Sequence, residues 1–374
     1  MRRFAQLAIA ALVVAAMPVH AVPKVDAKSY YLIDATSGTV LAESQADTRL
    51  DPASLTKLMT AYLAFDALVR GDATLNDLVP VSEKAWRATG SRMFIEVGTE
   101  VAFDDLLRGL IVQSGNDAAI ALAEYLGGSE EAFVERMNQA AADLGMSGTT
   151  YRNSNGLPAS GHLSTAKDTA ILARALIDRF PEFYSRYSQR EFTYNEISQH
   201  NRNALLWLDK SVDGLKTGYT RAAGYCLVSS AERDGMRLIA VVFGASTANA
   251  RTESSLALLN YGFDSFETHK LYSGGQIVAQ AHVSKGSHDT LSLGPANDVY
   301  VTVPRGEYAN LDASAALTRE LIAPLNRDEI VGNLVISLGE DRVSALPLVA
   351  LENIDQGWLL TRMANGVASW FHSE

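Results

Sequence analysis

Asp51-Pro52-Ala53-Ser54-Leu55-Thr56-Lys57-Leu58-Met59-Thr60-Ala61-Tyr62-Leu63-Ala64-Phe65 is the stretch that organises the rest of this 374-residue chain. Asp51 and Pro52 stand where helices start, and Leu58, Met59, Tyr62, Leu63 and Phe65 recur on a helical period. The pattern predicts a helix opening near Ser54 and driven into a core. On it Ser54 and Lys57 share one face, with Cβ atoms about 5–6 Å apart. A serine hydroxyl is a poor nucleophile until a neighbouring base takes its proton, and a lysine kept neutral by burial can be that base. The backbone N–H of Ser54, at a helix start, is also available to a developing oxyanion.

Two more blocks follow in order. Ser114-Gly115-Asn116 offers a second hydroxyl able to relay a proton and an amide able to hold a substrate. Lys216-Thr217-Gly218 offers a cation and a hydroxyl suited to a carboxylate, beside a glycine that admits a substrate backbone. Together the three blocks supply what attack on an amide carbonyl requires, and they predict an acyl-transferring serine enzyme. Ser164-Thr165-Ala166-Lys167 repeats the first pattern. It comes after the second block, however, and opens a helix in which capping accounts for Ser164 or Thr165.

Working outward, Ser29–Ile33 and Thr39–Ala42 flank a Ser-Gly turn and read as a hairpin. Helical patterns are expected over Phe103–Ile111, Asp117–Leu126, Glu131–Leu144 and Thr165–Ile177. Tyr225–Ala231 and Arg237–Phe243 flank Asp234-Gly235, a strong hairpin signal, and Val212–Leu215 runs into Lys216 as an edge strand lining a cleft. Strands, then a helical block, then strands predict a sheet carrying helices rather than a repeating βαβ array. Beyond Phe263–Tyr272 the runs Ile277–Val283, Thr290–Leu293, Val299–Val303, Ile330–Ser337 and Leu346–Leu351 suit a small β-sandwich or barrel. No catalytic cluster is visible there, so a structural or spacer role is expected.

The net charge of −11 argues against nucleic acid as a partner. Scattered histidines and dispersed acids predict neither a metal site nor another cofactor, and no phosphate-binding glycine motif is present. Cys226, the single cysteine, excludes an intrachain disulfide and reads as a small buried hydrophobe. Arg2 and Arg3, the apolar run Leu7–Ala16 and Val19-His20-Ala21 read as a secretory signal peptide over residues 1–21. At the other end, Leu359, Leu360, Met363, Ala364, Val367, Trp370 and Phe371 share one helical face. An amphipathic helix over 353–374, lying in a membrane interface, is expected.

On these residues the chain resembles the low-molecular-mass penicillin-binding proteins, serine-type D-Ala-D-Ala carboxypeptidases with a C-terminal β domain and an amphipathic anchor. The likeness extends to Phe192-Thr193-Tyr194-Asn195, Asn201-Arg202-Asn203, Leu205-Leu206-Trp207 and Val212-Asp213-Gly214-Leu215. It continues through Asp298-Val299-Tyr300, Val303-Pro304-Arg305-Gly306 and Ala323-Pro324-Leu325. The resemblance implies an α+β chain. A β-lactamase/transpeptidase-like catalytic domain, an antiparallel sheet flanked by helices with a helical subdomain, would span 22–265. A small all-β domain would span 266–352, ahead of the terminal helix.

The resemblance also implies removal of the terminal D-alanine from peptidoglycan pentapeptide stems, and acylation by β-lactam antibiotics. Ser54 would form the acyl-enzyme, Lys57 would be its base and Ser114 would relay the proton to the departing D-alanine. Asn116 would position the peptide. Lys216, Thr217 and Arg251 would hold the terminal carboxylate, Gly218 would admit the backbone, and Tyr219 would lend its N–H to the oxyanion hole. Arg202 would belong to the cleft. Relatives often carry His where this chain has Tyr219, which removes any role of an imidazole there. The implied location is periplasmic, attached peripherally to the outer face of the cytoplasmic membrane through the terminal helix. A D,D-endopeptidase and an idle murein-binding scaffold are the alternatives. A class A β-lactamase would need a deacylating acid, and Tyr151–His162 holds none.

Overall fold

The alternation of Leu238, Ile239, Ala240, Val241, Val242 and Phe243 organises the catalytic half. In this computed structural model, which describes residues 21–357, all six are buried, in two different cores. Ile239, Val241 and Phe243 face one cluster, while Leu238, Ala240 and Val242 face the other. A strand points successive side chains to opposite faces, so a run apolar at every position belongs at the centre of a sheet covered on both sides. Its strand, Met236–Ala245, is indeed the middle one of five, in the order Val40–Ser44, Ser29–Asp34, Met236–Ala245, Gly224–Arg233, Val212–Thr220. All neighbouring pairs are antiparallel. The turn Asp234-Gly235 has positive φ at both residues, 50° and 80°, as a tight hairpin turn of this type demands.

One face is covered by the helix Ala248–Ser265, through Leu258, Leu259 and Phe263. The other carries Lys57–Arg70 and Ala166–Arg179 together with a helical subdomain built from Phe103–Arg108, Asn116–Gly127 and Glu130–Asp143. Lys57–Arg70 is buried over most of its circumference, which makes it a core element rather than an amphipathic surface helix. It opens with a 3-10 turn, Ala53–Thr56, and stops at Gly71, whose φ of 76° closes it in a left-handed cap. The five-residue turn Gly109–Gln113 extends Phe103–Arg108 as a π-helical stretch and delivers Ser114 at φ 68°.

The repeated motif at 164–167 is the cap expected of it. Thr165 Oγ1 accepts from the N–H of Asp168 at 3.0 Å, Ser164 Oγ bonds to Thr149 Oγ1 at 2.8 Å, and Lys167 pairs with Asp47. Cys226 is fully buried, and burial pushes its thiol up to about 11, so it packs and does not react.

The helix Ala248–Ser265 runs straight into the strand Phe266–Tyr272, which pairs with Val299–Pro304. A second sheet, in the order Ala279–His282, Thr290–Gly294, Asp341–Ala350, Ile330–Leu338, Leu311–Leu317, completes an all-β unit with its own core. Two of its strands carried no sequence signal. Leu311–Leu317 is alanine-rich and exposed along nearly its whole length, and Phe266–Tyr272 looked like a boundary. The two halves meet at a hydrogen-bonded seam. Thr268 Oγ1 donates to buried Asp34 Oδ2 at 2.8 Å, and Thr302 Oγ1 lies 2.8 Å from Thr268 Oγ1 and 2.6 Å from Ser37 Oγ.

The first residues of the expected terminal helix belong to this β unit instead. Ile354 bridges Leu325, Gln356 bridges Gly286, and residues 353–357 are not helical. The remainder of that segment, and residues 1–20 of the expected signal peptide, lie outside the described residues.

Candidate active site

Between the edge strand Val212–Thr220 and the helical subdomain lies a cleft of about 810 Å³, and all three motifs open onto it. Ala53 leads into the nucleophile turn with φ 48°, an uncommon backbone for a residue with a Cβ. Such strain persists only where the surroundings impose it. Here Gly156 and Gly218 press on the turn from either side. A Cβ on Gly156 would lie 1.8 Å from the Ala53 carbonyl oxygen, and one on Gly218 would lie 3.2 Å from the Ser54 nitrogen. Gly156 has no room for a side chain, and one at Gly218 would force its neighbours to give way slightly.

Lys57 is 1% exposed, and its amine meets three oxygens. Nζ donates to Ser54 Oγ at 3.0 Å, to Asn116 Oδ1 at 2.6 Å and to the Asn155 carbonyl at 2.6 Å. Burial drives its pKa down to about 7, with Arg202 helping and Asp117 opposing. The partner set decides what the neutral form does. Asn116 Oδ1 and the Asn155 carbonyl can only accept, so the two protons of a neutral amine go to them. The lone pair is then left facing the Ser54 hydroxyl, as a general base requires.

Ser114 is 2% exposed and its Oγ has no hydrogen-bond partner among the described residues, unlike nearly all buried hydroxyls. Arg251, 8% exposed, has an unpartnered Nε and stands 6.0 Å from the Tyr225 ring. Both residues line the cleft, so the two orphaned groups point to partners that arrive with a ligand. Lys216 is buried and donates to the Thr217 carbonyl at 3.0 Å. Burial holds its pKa well below the ordinary value, assisted by Lys57, Arg202 and Arg251. Arg202 Nε donates to the Gln113 carbonyl at 3.1 Å, tying it to the wall below Ser114. Tyr219 is 54% exposed, its ring tilted against that of Tyr225 with ring centres 4.3 Å apart. Its ring forms part of the rim.

All ten sequence-predicted site residues therefore converge, Lys57 and Lys216 from behind the surface and the other eight at the cleft. Three supporting residues carried no recognisable signal. Asn155 contributes a carbonyl, which no side-chain pattern announces, from a turn-rich loop read only for its lack of acids. Asp117 directly follows the second motif. Its carboxylate accepts from the N–H groups of Met93 at 3.0 Å and Phe94 at 2.8 Å, pinning a loop that borders the cleft. His162 is buried behind the nucleophile turn, with Nε2 at 2.7 Å from Thr56 Oγ1. Its Nδ1 accepts from the Arg152 N–H at 3.0 Å, so Nε2 carries the ring proton and donates to Thr56.

Comparisons with known proteins place the chain among relatives of one kind. Residues 16–247 match the family described as D-alanyl-D-alanine carboxypeptidase, and residues 266–356 match the C-terminal domain of penicillin-binding protein 5. The D-alanyl-D-alanine carboxypeptidase DacC of Escherichia coli strain K12 is 44% identical over 359 residues, covering 94% of this chain and 90% of that protein. Penicillin-binding protein 5 from Haemophilus influenzae superposes with a TM-score of 0.87 at 38% identity, over 89% of this chain and 99% of that one. An ampicillin-bound form of penicillin-binding protein D2 from Listeria monocytogenes covers 64% of this chain and 98% of its own, with a TM-score of 0.60 and 32% identity.

Proposed function

This chain belongs to the D-alanyl-D-alanine carboxypeptidase family and is a serine-type hydrolase of that class; on that premise we propose that Ser54 is its nucleophile and Lys57 the base that activates it. The observation that carries the assignment is the Lys57 amine, buried, near neutrality and held 3.0 Å from Ser54 Oγ between two acceptors. Ser54 Oγ attacks the carbonyl of the penultimate D-alanine as its proton passes to Lys57 Nζ. The backbone N–H groups of Ser54 and Tyr219 receive the oxyanion. Ser114 Oγ hands a proton to the departing amine and takes the one held on Lys57 Nζ in its place. The C–N bond breaks, and D-alanine leaves while the acyl group stays on Ser54 and the Lys57 amine is neutral again. Water then attacks the ester, giving up its proton to the same base, and Ser54 is regenerated.

Thr217, with Lys216 and Arg251 behind it, takes the terminal carboxylate, and Asn116 holds the peptide. The unpartnered Arg251 Nε supports this reading, since a buried guanidinium gains most from a planar anion. The substrate is a peptidoglycan stem pentapeptide, and β-lactams acylate the same serine. The signal-like residues 1–21 support export to the periplasm, with attachment to the membrane surface through the segment beyond Gly357. Among the described residues no helix is long and apolar enough to cross a membrane. Ser54→Ala is expected to abolish both fluorescent-penicillin labelling and D-alanine release. Labelling that survives the change excludes Ser54 as nucleophile.

A further inference from the structure

Among the described residues the cleft has no acid in its lining, yet Arg92, Arg202 and Arg251 all open onto it, in a chain of net charge −11. Lys57 and Lys216 add to the positive field from behind. One terminal carboxylate accounts for the cations on the strand side, where Arg251 and Lys216 stand close enough for each to feel the other. It does not account for Arg92.

Arg92 sits on the opposite, helical wall, and its loop is held at five points. The Asn116 N–H donates to the Ser91 carbonyl at 2.7 Å, and Asn116 Nδ2 donates to the Thr89 carbonyl at 2.6 Å. The Met93 and Phe94 N–H groups bond to the Asp117 carboxylate, and Gln199 Nε2 donates to the carbonyl of Arg92 itself at 3.0 Å. Phe94 is locked at φ 69° with its ring half out in solvent, and the Arg92 guanidinium lies 5.0 Å from the centre of that ring. An aromatic face orients a guanidinium while leaving its N–H donors free. Among the described residues Arg92 makes no ion pair. A cation fixed so carefully and left without an anion, in a cleft without acids, is placed for a charge that the ligand brings.

We propose that Arg92 is a specificity-determining residue that binds a second carboxylate of the substrate, carried on the acyl side of the bond to be cut. The inference rests on the carboxypeptidase reading above. That reading places the leaving D-alanine at Thr217 on the strand wall, so the helical wall beside Asn116 faces the residues upstream. The substrate class is a peptide in which the residue preceding D-Ala-D-Ala bears a free side-chain carboxylate, as a diamino dicarboxylic acid does.

The test compares two acetylated tripeptides ending in D-Ala-D-Ala, one with lysine and one with a diamino dicarboxylic acid at the first position. D-alanine release gives kcat and KM, and protection against fluorescent-penicillin labelling gives affinity without turnover. The native protein is expected to favour the dicarboxylic peptide by roughly five- to tenfold, through KM, the size of one charge-assisted contact at a partly exposed site. Arg92→Gln should erase that ratio, Arg92→Lys should keep part of it, and Arg92→Glu should reverse it. An unchanged ratio in Arg92→Gln, or equal losses on both peptides, overturns the assignment. Failure of the underlying reading looks different, because neither peptide is then turned over by the native protein, while the protection assay still reports on Arg92.

Discussion

At the scale of single residues, the site depends on an amine that has lost most of its solvent. With its pKa near 7, about half of the Lys57 amines are neutral at that pH, and only the neutral form has a lone pair for Ser54. Acylation by a β-lactam is therefore expected to rise with pH through about 7 and then level off. A profile flat from pH 5 to 9 would assign the base elsewhere. Lys57→Ala should slow acylation by about 10²–10⁴-fold, the usual worth of a positioned base. Ser114 and Arg251 show the complementary logic, buried polar groups without a partner among the described residues. The side chains that gather at the cleft were legible because acyl-transfer chemistry restricts residue type and spacing. Asn155 and Asp117 were not, since one works through its backbone and the other by holding a loop rather than touching the reacting atoms.

At the scale of elements, the nucleophile turn is held from outside by the loop that follows Tyr151. Gly156 cannot become larger. Its φ is +85°, and a new Cβ would collide with the Ala53 carbonyl, so Gly156→Ala is expected to cost about 3 kcal/mol or more and to displace Ser54. Gly71→Ala shares the left-handed backbone but meets open space, and should cost about 1–2 kcal/mol with labelling intact. Urea unfolding and penicillin labelling of the pair separate strain from collision. The same loop holds His162 against Thr56. Burial keeps its folded pKa near 4, below the ordinary 6.5, so as pH falls the unfolded chain takes up this proton first. Its contribution is complete above about pH 6.5 and is lost as pH drops towards 4, amounting to about 3 kcal/mol. The stability gap between the native chain and His162→Gln should shrink by that amount over this interval, and a constant gap would show that the ring does not titrate this way. The long amphipathic or fully apolar elements were readable from periodicity. Leu311–Leu317 was not, because an exposed alanine-rich edge strand has no alternation to read, and its pairing with Ile330–Leu338 is a tertiary fact.

At the scale of the whole molecule, no residue of the β unit lines the cleft, so its contribution to the chemistry is indirect. A chain ending at Ser265 should still be labelled by penicillin. Its Tm should fall, because the cut strips Thr268 from buried Asp34 and uncovers the seam. Loss of labelling in a chain that remains folded would instead assign the β unit a part in shaping the site. The connection itself has a mechanical consequence. Helix Ala248–Ser265 becomes strand Phe266–Tyr272 without an intervening loop, and Ser37, Asp34, Thr268 and Thr302 lock the joint. The junction therefore offers no free loop on which the two halves could swing. Ser54 is thus carried at a distance from the β unit that this joint helps to set, like a blade on a handle.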